Sequence, residues 1–264
     1  MIPDFSIITV SYNSEQTIER TIKSVLKQSH KNYEYLIIDG GSSDNTNTII
    51  NKYKNEFKGG IRHISEPDKG IYDAMNKGIA LAKGKIIGLL NSDDYYFDTT
   101  LANVYESYLK TDGNTVLTGN MIFKSKSGEQ LLKNNERRLQ LKFKYFKNGV
   151  RHPATFVPKI IYDKVGLFNL DYKIASDAEL MFRIYTSNYA FVFIDKALLT
   201  MSDGGISNSK GIVRQTVLEK SYLLKQYCPN LFLRFFFMME TRVRFKVKEF
   251  ASSLTTIYRK IENH

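Results

Sequence analysis

Two adjacent carboxylates, Asp93 and Asp94, close the stretch EPDKGIYDAMNKGIALAKGKIIGLLNSDD that runs from Glu66. They follow KIIGLL, a run apolar enough for a buried strand, so both acids stand at a strand's carboxyl end. Neighbouring carboxylates repel, and burying them without a cation or donors is costly. Mg2+ or Mn2+, held by one or two carboxylates and the phosphates of a substrate, relieves that cost. The plainer alternative is capping, with Asp94 or Asp98 starting the next helix. Asp39 stands at the equivalent place after EYLII, which tips the balance toward the metal. A further acid, Asp177 in IASDAEL, opens a helix much later in the chain.

Other phosphate and metal chemistries lack their residues. No G-x-G-x-x-G follows a strand. Gly78 to Lys85 has five residues rather than four between its glycines and Ile86 where a P-loop needs Ser or Thr, so these glycines read as a packing or helix-end pair. The four histidines are scattered, and the lone Cys228 allows neither an intramolecular disulfide nor a cysteine zinc site.

The elements that must position the acids alternate. FSIITV (5–10) reads as a buried strand, followed by the turn SYNS and a helix over EQTIERTIKSVLKQ with Ile18, Ile22, Val25 and Leu26 on one stripe. EYLII (34–38) is a second strand, leading through GGSSDNT to a short helix. Residues 61–64 form a third strand, and a helix from about Ile71 to Ala82, with Met75 and Ile79 inward, stops at Gly84 before KIIGLL. Strand–helix alternation over ninety residues predicts a parallel α/β sheet, whose ligands bind beyond the carboxyl ends of its strands. Tyr12, Asp39, Asp68, Asp93 and Asp94 all fall at such ends. Further on, a helix to about Leu109, a hairpin around SKSG, a strand or loop at RHPATFVPK, a helix from Ser176–Asp177 and a strand YAFVFI are expected. Residues 133–148 are basic and aromatic with weak periodicity, and the chain from about Ile212 is helical.

Composition is that of a globular chain: 264 residues, 42% hydrophobic and 25% charged. No run of eighteen uncharged apolar residues predicts a membrane span. MIPDFSIITV lacks the basic start of a signal peptide, and one cysteine suits a reducing, cytoplasmic setting. The net charge of +11 calls for an anionic partner: nucleic acid, membrane or phosphate. No nucleic-acid motif accompanies the seventeen Tyr and seventeen Phe, so nucleic acid is not expected.

SIITVSYN, LIIDGGSSDNT, the Glu66–Asp94 stretch and IASDAELMFRIY, in that order and spacing, resemble a family 2 glycosyltransferase of the GT-A fold over roughly residues 4–200. NSDD and RHPATFV are similar to the enzymes that build bacterial capsule, exopolysaccharide or O-antigen units. The resemblance implies a Rossmann-like, mostly parallel sheet flanked by helices, with a GT-A domain over 1–210 (nucleotide-sugar half 1–98, acceptor half 99–210) and a C-terminal helical extension over 211–264.

By that resemblance Thr9, Val10 and Tyr12 line the base and ribose pocket, and Asp39 accepts the uracil N3–H. Asp68, Lys69 and Asp73 contact the donor, and Asp93 the ribose or sugar. Asp94 binds Mn2+ or Mg2+. Asn91 stands where the longer form of the motif has an acid, which weakens the ribose contact. Asp177 is the general base for an inverting transfer, with Glu179 as its substitute, and His152 touches the acceptor or a phosphate. Each residue has a structural alternative: a loop cap for Asp39, an exposed turn for Lys69, a first-turn helix acid for Asp177 and a core histidine for His152. The implied reaction moves a hexose or N-acetylhexosamine from a UDP-sugar to a saccharide, lipid-linked acceptor. The alternatives are a silent nucleotide-sugar or glycan-binding module and a sugar nucleotidyltransferase, although SYNSEQ is not a triphosphate loop. In LFLRFFFMMETRVRFKVKEF an interfacial helix would bury Phe235, Phe236 and Met239. Arg234, Arg242, Arg244 and Lys248 would then meet anionic lipid at the inner face of the plasma membrane. Otherwise that helix packs on the protein or across a homodimer.

Overall fold

The computed structural model describes residues 2–144, 149–203, 212–228 and 230–243. The chain forms two compact units, residues 1–206 and 207–264.

In the first unit the apolar runs become strands β1 (Phe5–Ser11), β2 (Tyr33–Asp39), β3 (Ile61–Ser65) and β4 (Ile86–Asn91). They pair in the parallel order β3-β2-β1-β4. Crossovers are made by helices α1 (Ile18–Leu26), α2 (Thr46–Tyr53) and α3 (Ile71–Leu81). Phe5, Ile7, Ile8, Leu36, Ile37 and Ile38 are fully buried, as strands covered on both faces require. The register sets Ser11 opposite Asp39, Asp39 opposite Ser65 and Val10 opposite Asn91. Four carboxyl ends therefore share one edge.

The paired glycines close that layer. A methyl at Gly78 would overlap the Ile8 side chain, and one at Gly84 would strike the backbone of Phe5 and Ser6. Met75 and Ile79 are 4% and 2% exposed. Both glycines serve helix–sheet packing, the role their spacing predicts.

Beyond β4 the sheet is mixed. It continues through β5 (Tyr95–Tyr96), β6 (Val116–Ser125), β7 (Gly128–Leu132), β8 (Thr155–Pro158) and β9 (Phe191–Ser202). β8 pairs antiparallel with β4 and β6, β7 with β6 and β5 with β9, while β9 lies parallel to β6. Helices α4 (Thr100–Tyr108), α5 (Glu136–Lys144), α6 (Lys159–Val165) and α7 (Ser176–Thr186) cover this half. A 3-10 turn, His152–Ala154, precedes β8. YAFVFI leads into a strand that runs on to Ser202, because Ala197 and Leu199 to Ser202 still pair with β6 and Leu198 to Thr200 are buried.

The second unit holds α8 (Ile212–Tyr227) and α9 (231–243), which lie together along Val217, Ser221, Leu224, Met238 and Thr241. Arg234 does not face outward. Its guanidinium donates to the carbonyls of Lys225 (3.3 Å) and Cys228 (2.9 Å), closing the end of α8. Arg244 and Lys248 lie outside the described residues. No described helix is long and apolar enough to cross a membrane.

Candidate active site

Asp94 follows β4 in a tight turn, its N–H donating to Asn91 O (3.1 Å). The side chain is 1% exposed and receives two long hydrogen bonds, from Asn91 Nδ2 and the Ser202 N–H, each 3.2 Å. Burial, then the neighbouring Asp93 charge, pushes its carboxyl up to about 7. Burial likewise raises Asp93. Neither acid caps α4, whose N-cap residue is Thr99. The nearby cation, Arg20 of α1, donates instead to the Asp93 carbonyl (2.7 Å) and Ser202 Oγ (2.8 Å) and lies 4.5 Å over the Tyr95 ring. Arg20 thus fixes the turn and leaves the carboxylates undercompensated, and sequence reasoning gave no sign of it. Ser14 and Ser92 join their loops by a 2.7 Å hydroxyl bond.

The described residues offer no group of three His, Cys, Asp or Glu able to hold a metal. One or two carboxylates without a complete cage suit Mg2+ or Mn2+, which complete their shells with water and substrate phosphates. The donor set fits such an ion.

Asp39 is fully buried at the hub of the β1, β2 and β3 ends. It accepts from Ser11 Oγ (3.0 Å), Ser42 Oγ (2.5 Å), Ser42 N (2.8 Å) and Ser65 Oγ (2.7 Å). Burial raises this carboxyl, but these donors outweigh it and hold the group low. In this geometry Asp39 is the cap of the GGSS loop. Thr9 is likewise no free lining: it is fully buried, its hydroxyl 3.0 Å from Tyr35 OH, and Val10 is 6% exposed. Tyr12 alone of the three presents its ring, 66% exposed. Gly40 lies between that ring and Asp68, where a Cβ would come 3.4 Å from the Tyr12 ring and 2.5 Å from Asp68 Oδ2. Asp68 and Asp73 brace the turn into α3, accepting from Gly70 N (2.8 Å) and Lys69 N (3.0 Å), with Gly70 at φ 112°. The Lys69 side chain is exposed there, at a turn as its alternative reading has it.

Asp177 lies in the first turn of α7, 3.3 Å from Tyr72 OH, which also donates to Ile174 O (2.7 Å). Tyr72 stacks on Phe168 (5.3 Å), and His152 meets the same ring edge-on (5.5 Å). Burial lowers the His152 proton affinity, while the Asp177 charge raises it. The fold therefore brings His152 and Asp177 together, with Tyr72 of α3 bonded to Asp177. Asn76 fixes that junction by exchanging bonds with the Phe168 backbone, both 2.9 Å.

Glu179 is not available as a substitute base. It is 2% exposed and paired twice with Arg183 (3.1 and 2.9 Å), which also donates to Val165 O and Leu167 O. Breaking such a pair leaves one charge uncompensated. Glu179→Ala is expected to cost about 2–4 kcal/mol in urea denaturation and to leave kcat largely intact below the transition. Loss of turnover at unchanged stability would instead make Glu179 catalytic.

Residues 6–162 match the family described as Glycosyl transferase family 2. A PGL/p-HBAD biosynthesis glycosyltransferase of Mycobacterium bovis (strain BCG / Pasteur 1173P2) is 28% identical over 225 residues, 84% of this chain and 83% of its own. An uncharacterized glycosyltransferase of Mycobacterium tuberculosis is 32% identical over 182 residues, 69% of this chain and 68% of its own. Among solved structures, S. aureus TarS 1–349 in complex with UDP-GlcNAc superposes with a TM-score of 0.66 at 19% identity, covering 90% of this chain and 71% of that one. Mannosyltransferase PcManGT from Pyrobaculum calidifontis, in complex with GDP-Man and Mn2+, gives 0.67 at 13% identity, covering 100% and 81%. The sheet order and its flanking helices are those of this GT-A fold. With the family matched over more than half its length, the chain belongs to glycosyltransferase family 2 and is a glycosyltransferase.

Proposed function

We propose that the chain transfers a hexose or N-acetylhexosamine from a UDP-sugar to a saccharide acceptor, with inversion and with a divalent cation. The observation that carries this reading is Asp94: a carboxylate buried at a strand's carboxyl end, beside a second acid, whose nearby cation Arg20 only partly offsets its charge and bonds a carbonyl and a hydroxyl instead. Asp94, with Asp93 beside it, would hold Mn2+ or Mg2+. The ion would supply Lewis-acid stabilisation of the charge developing on the departing diphosphate.

The chain's own groups do the rest. The exposed Tyr12 ring gives the base a face to stack on, beside Gly40. Uracil N3–H takes over one of the places on Asp39 now held by Ser42 or Ser65. Asp177 accepts the proton of the acceptor hydroxyl as its oxygen attacks the anomeric carbon, with Tyr72 orienting the carboxylate. The neighbouring structures in complex with UDP-GlcNAc, and with GDP-Man and Mn2+, support a nucleotide-sugar donor and a metal.

The acceptor is read as a lipid-linked saccharide of bacterial surface polysaccharide synthesis, met at the inner face of the membrane. On α9, Phe232, Phe235, Phe236, Met239 and Val243 are 41–77% exposed along one stripe, which supports association with a lipid surface. A donor screen reading nucleotide release, with and without Mn2+, tests the reaction. Release from UDP-sugars that EDTA stops is expected; release from GDP-sugars alone overturns the donor assignment.

A further inference from the structure

The cationic excess of residues 1–206 is concentrated in one segment. Residues 133–151 carry seven Lys or Arg and one Glu, whereas the remainder of 1–206 carries 20 Lys or Arg against 22 Asp or Glu. Two of the seven, Arg138 on α5 and Arg151 just before the 3-10 turn, are half withdrawn from solvent. The Nε of each is buried and has no hydrogen-bond partner among the described residues. Burial holds both guanidinium groups below their ordinary value, and the Arg138 charge pushes Arg151 lower still, so the two cations are near neighbours. Among the described residues no carboxylate offsets either one, and residues 144–148 contain no acid to do so.

The fold enforces this meeting of like charges. Asn134, 5% exposed, accepts the Arg151 N–H (3.1 Å) and donates to Thr118 Oγ1 and Gly119 O, both 2.8 Å. Gly149 presses the chain on α5, where a Cβ would lie 3.0 Å from the Leu139 backbone. Arg151 is consequently pinned beside the turn that carries Arg138, one residue before His152. Two half-buried guanidinium groups repel and leave fork donors unfilled, which is unfavourable unless an anion completes them. Their planar forks suit the paired oxygens of a phosphate.

We propose that Arg138 and Arg151 together bind a phosphate group of the acceptor, next to the wall formed by His152 and Asp177. The inference rests on the reading of that wall as the acceptor side. Two sources share this chemistry: the diphosphate that joins a saccharide to a lipid, and a single phosphate within a phosphorylated glycan.

The test titrates the full chain in EDTA, without nucleotide, with inorganic pyrophosphate and then with inorganic phosphate by calorimetry. Arg138→Gln and Arg151→Gln should each weaken pyrophosphate binding at least tenfold. Arg137→Gln, an exposed neighbour of the same charge, should change it less than twofold. Pyrophosphate binding tenfold tighter than phosphate assigns the diphosphate, and equal binding assigns the single phosphate. Insensitivity to both Arg138→Gln and Arg151→Gln, or equal weakening by Arg137→Gln, overturns the site. Thermal melting covers a variant that folds poorly: pyrophosphate must raise the Tm of the unsubstituted chain, and no rise there also overturns it. Because donor and metal are absent, this result and that of the donor screen stand or fall separately.

Discussion

Asp94→Asn is expected to remove sugar transfer while making the metal-free protein more stable at neutral pH. The two effects have one cause. Asp94 sits in a place that penalises its charge, with a raised carboxyl at about 7 against an ordinary 3.8. Between those values the folded chain holds a proton that the unfolded chain has released. Stability from this group is therefore present below pH 3.8 and is lost as pH rises to 7. Asparagine stays neutral and still offers an oxygen to the Ser202 N–H, so it avoids the penalty. At about 1.4 kcal/mol per pH unit, a gain of order 2–4 kcal/mol is expected at pH 8 in EDTA.

The same substitution takes away the proposed metal ligand and with it several kcal/mol of stabilisation of the leaving diphosphate, so kcat should fall by about 10²–10³ or more. Saturating Mn2+ and UDP should stabilise the unsubstituted chain and not the variant, reversing the order seen in EDTA. Denaturation with and without Mn2+ and UDP, read beside turnover, separates the possibilities. Normal turnover would remove the metal from Asp94. Equal metal-free stability would show that its burial carries no electrostatic penalty.

The half of the molecule that was legible in advance is the half built from repeated local pattern. FSIITV, EYLII and KIIGLL are apolar on both faces, and only a covered parallel sheet satisfies them. Their acids must then appear at one edge, and Asp39, Asp93 and Asp94 do. What the pattern could not distinguish is a carboxylate that awaits a ligand from one that caps a loop. Asp39 and Asp94 look alike in sequence, yet Ser11, Ser42 and Ser65 saturate the first and two long bonds leave the second short of donors. Ser11, Ser65 and Ser202 come from other strands, so spacing along the chain does not reveal them. The part beyond β4 is less legible because its contacts are non-local. β9 pairs with β6 across irregular register, and α6 is only seven residues long. Arg20, Tyr72 and Arg183 act through backbone carbonyls, which carry no sequence signature.

The substitution Asp177→Asn should lower kcat by about 10²–10⁴ and leave the affinity for UDP and Mn2+ unchanged, because the proposed base acts on the acceptor hydroxyl alone. The geometry gives the choice of Asp177 its force. Glu179, one helical position pair away, is locked to Arg183, and His152 is 8% exposed, with a proton affinity that burial lowers. Of the three, Asp177 alone is both partly accessible and oriented by a neighbour from α3, Tyr72. Asparagine keeps a side-chain oxygen for the Tyr72 hydroxyl, so the α3–α7 junction should survive and melting should be unchanged. A fall in kcat at constant UDP affinity and constant Tm would thus report lost proton transfer rather than lost structure. If UDP affinity fell in parallel, Asp177 would belong to donor binding. If turnover stayed normal, the acceptor's proton would leave by another route, and His152, the titratable group that Asp177 influences, would be the residue to replace next.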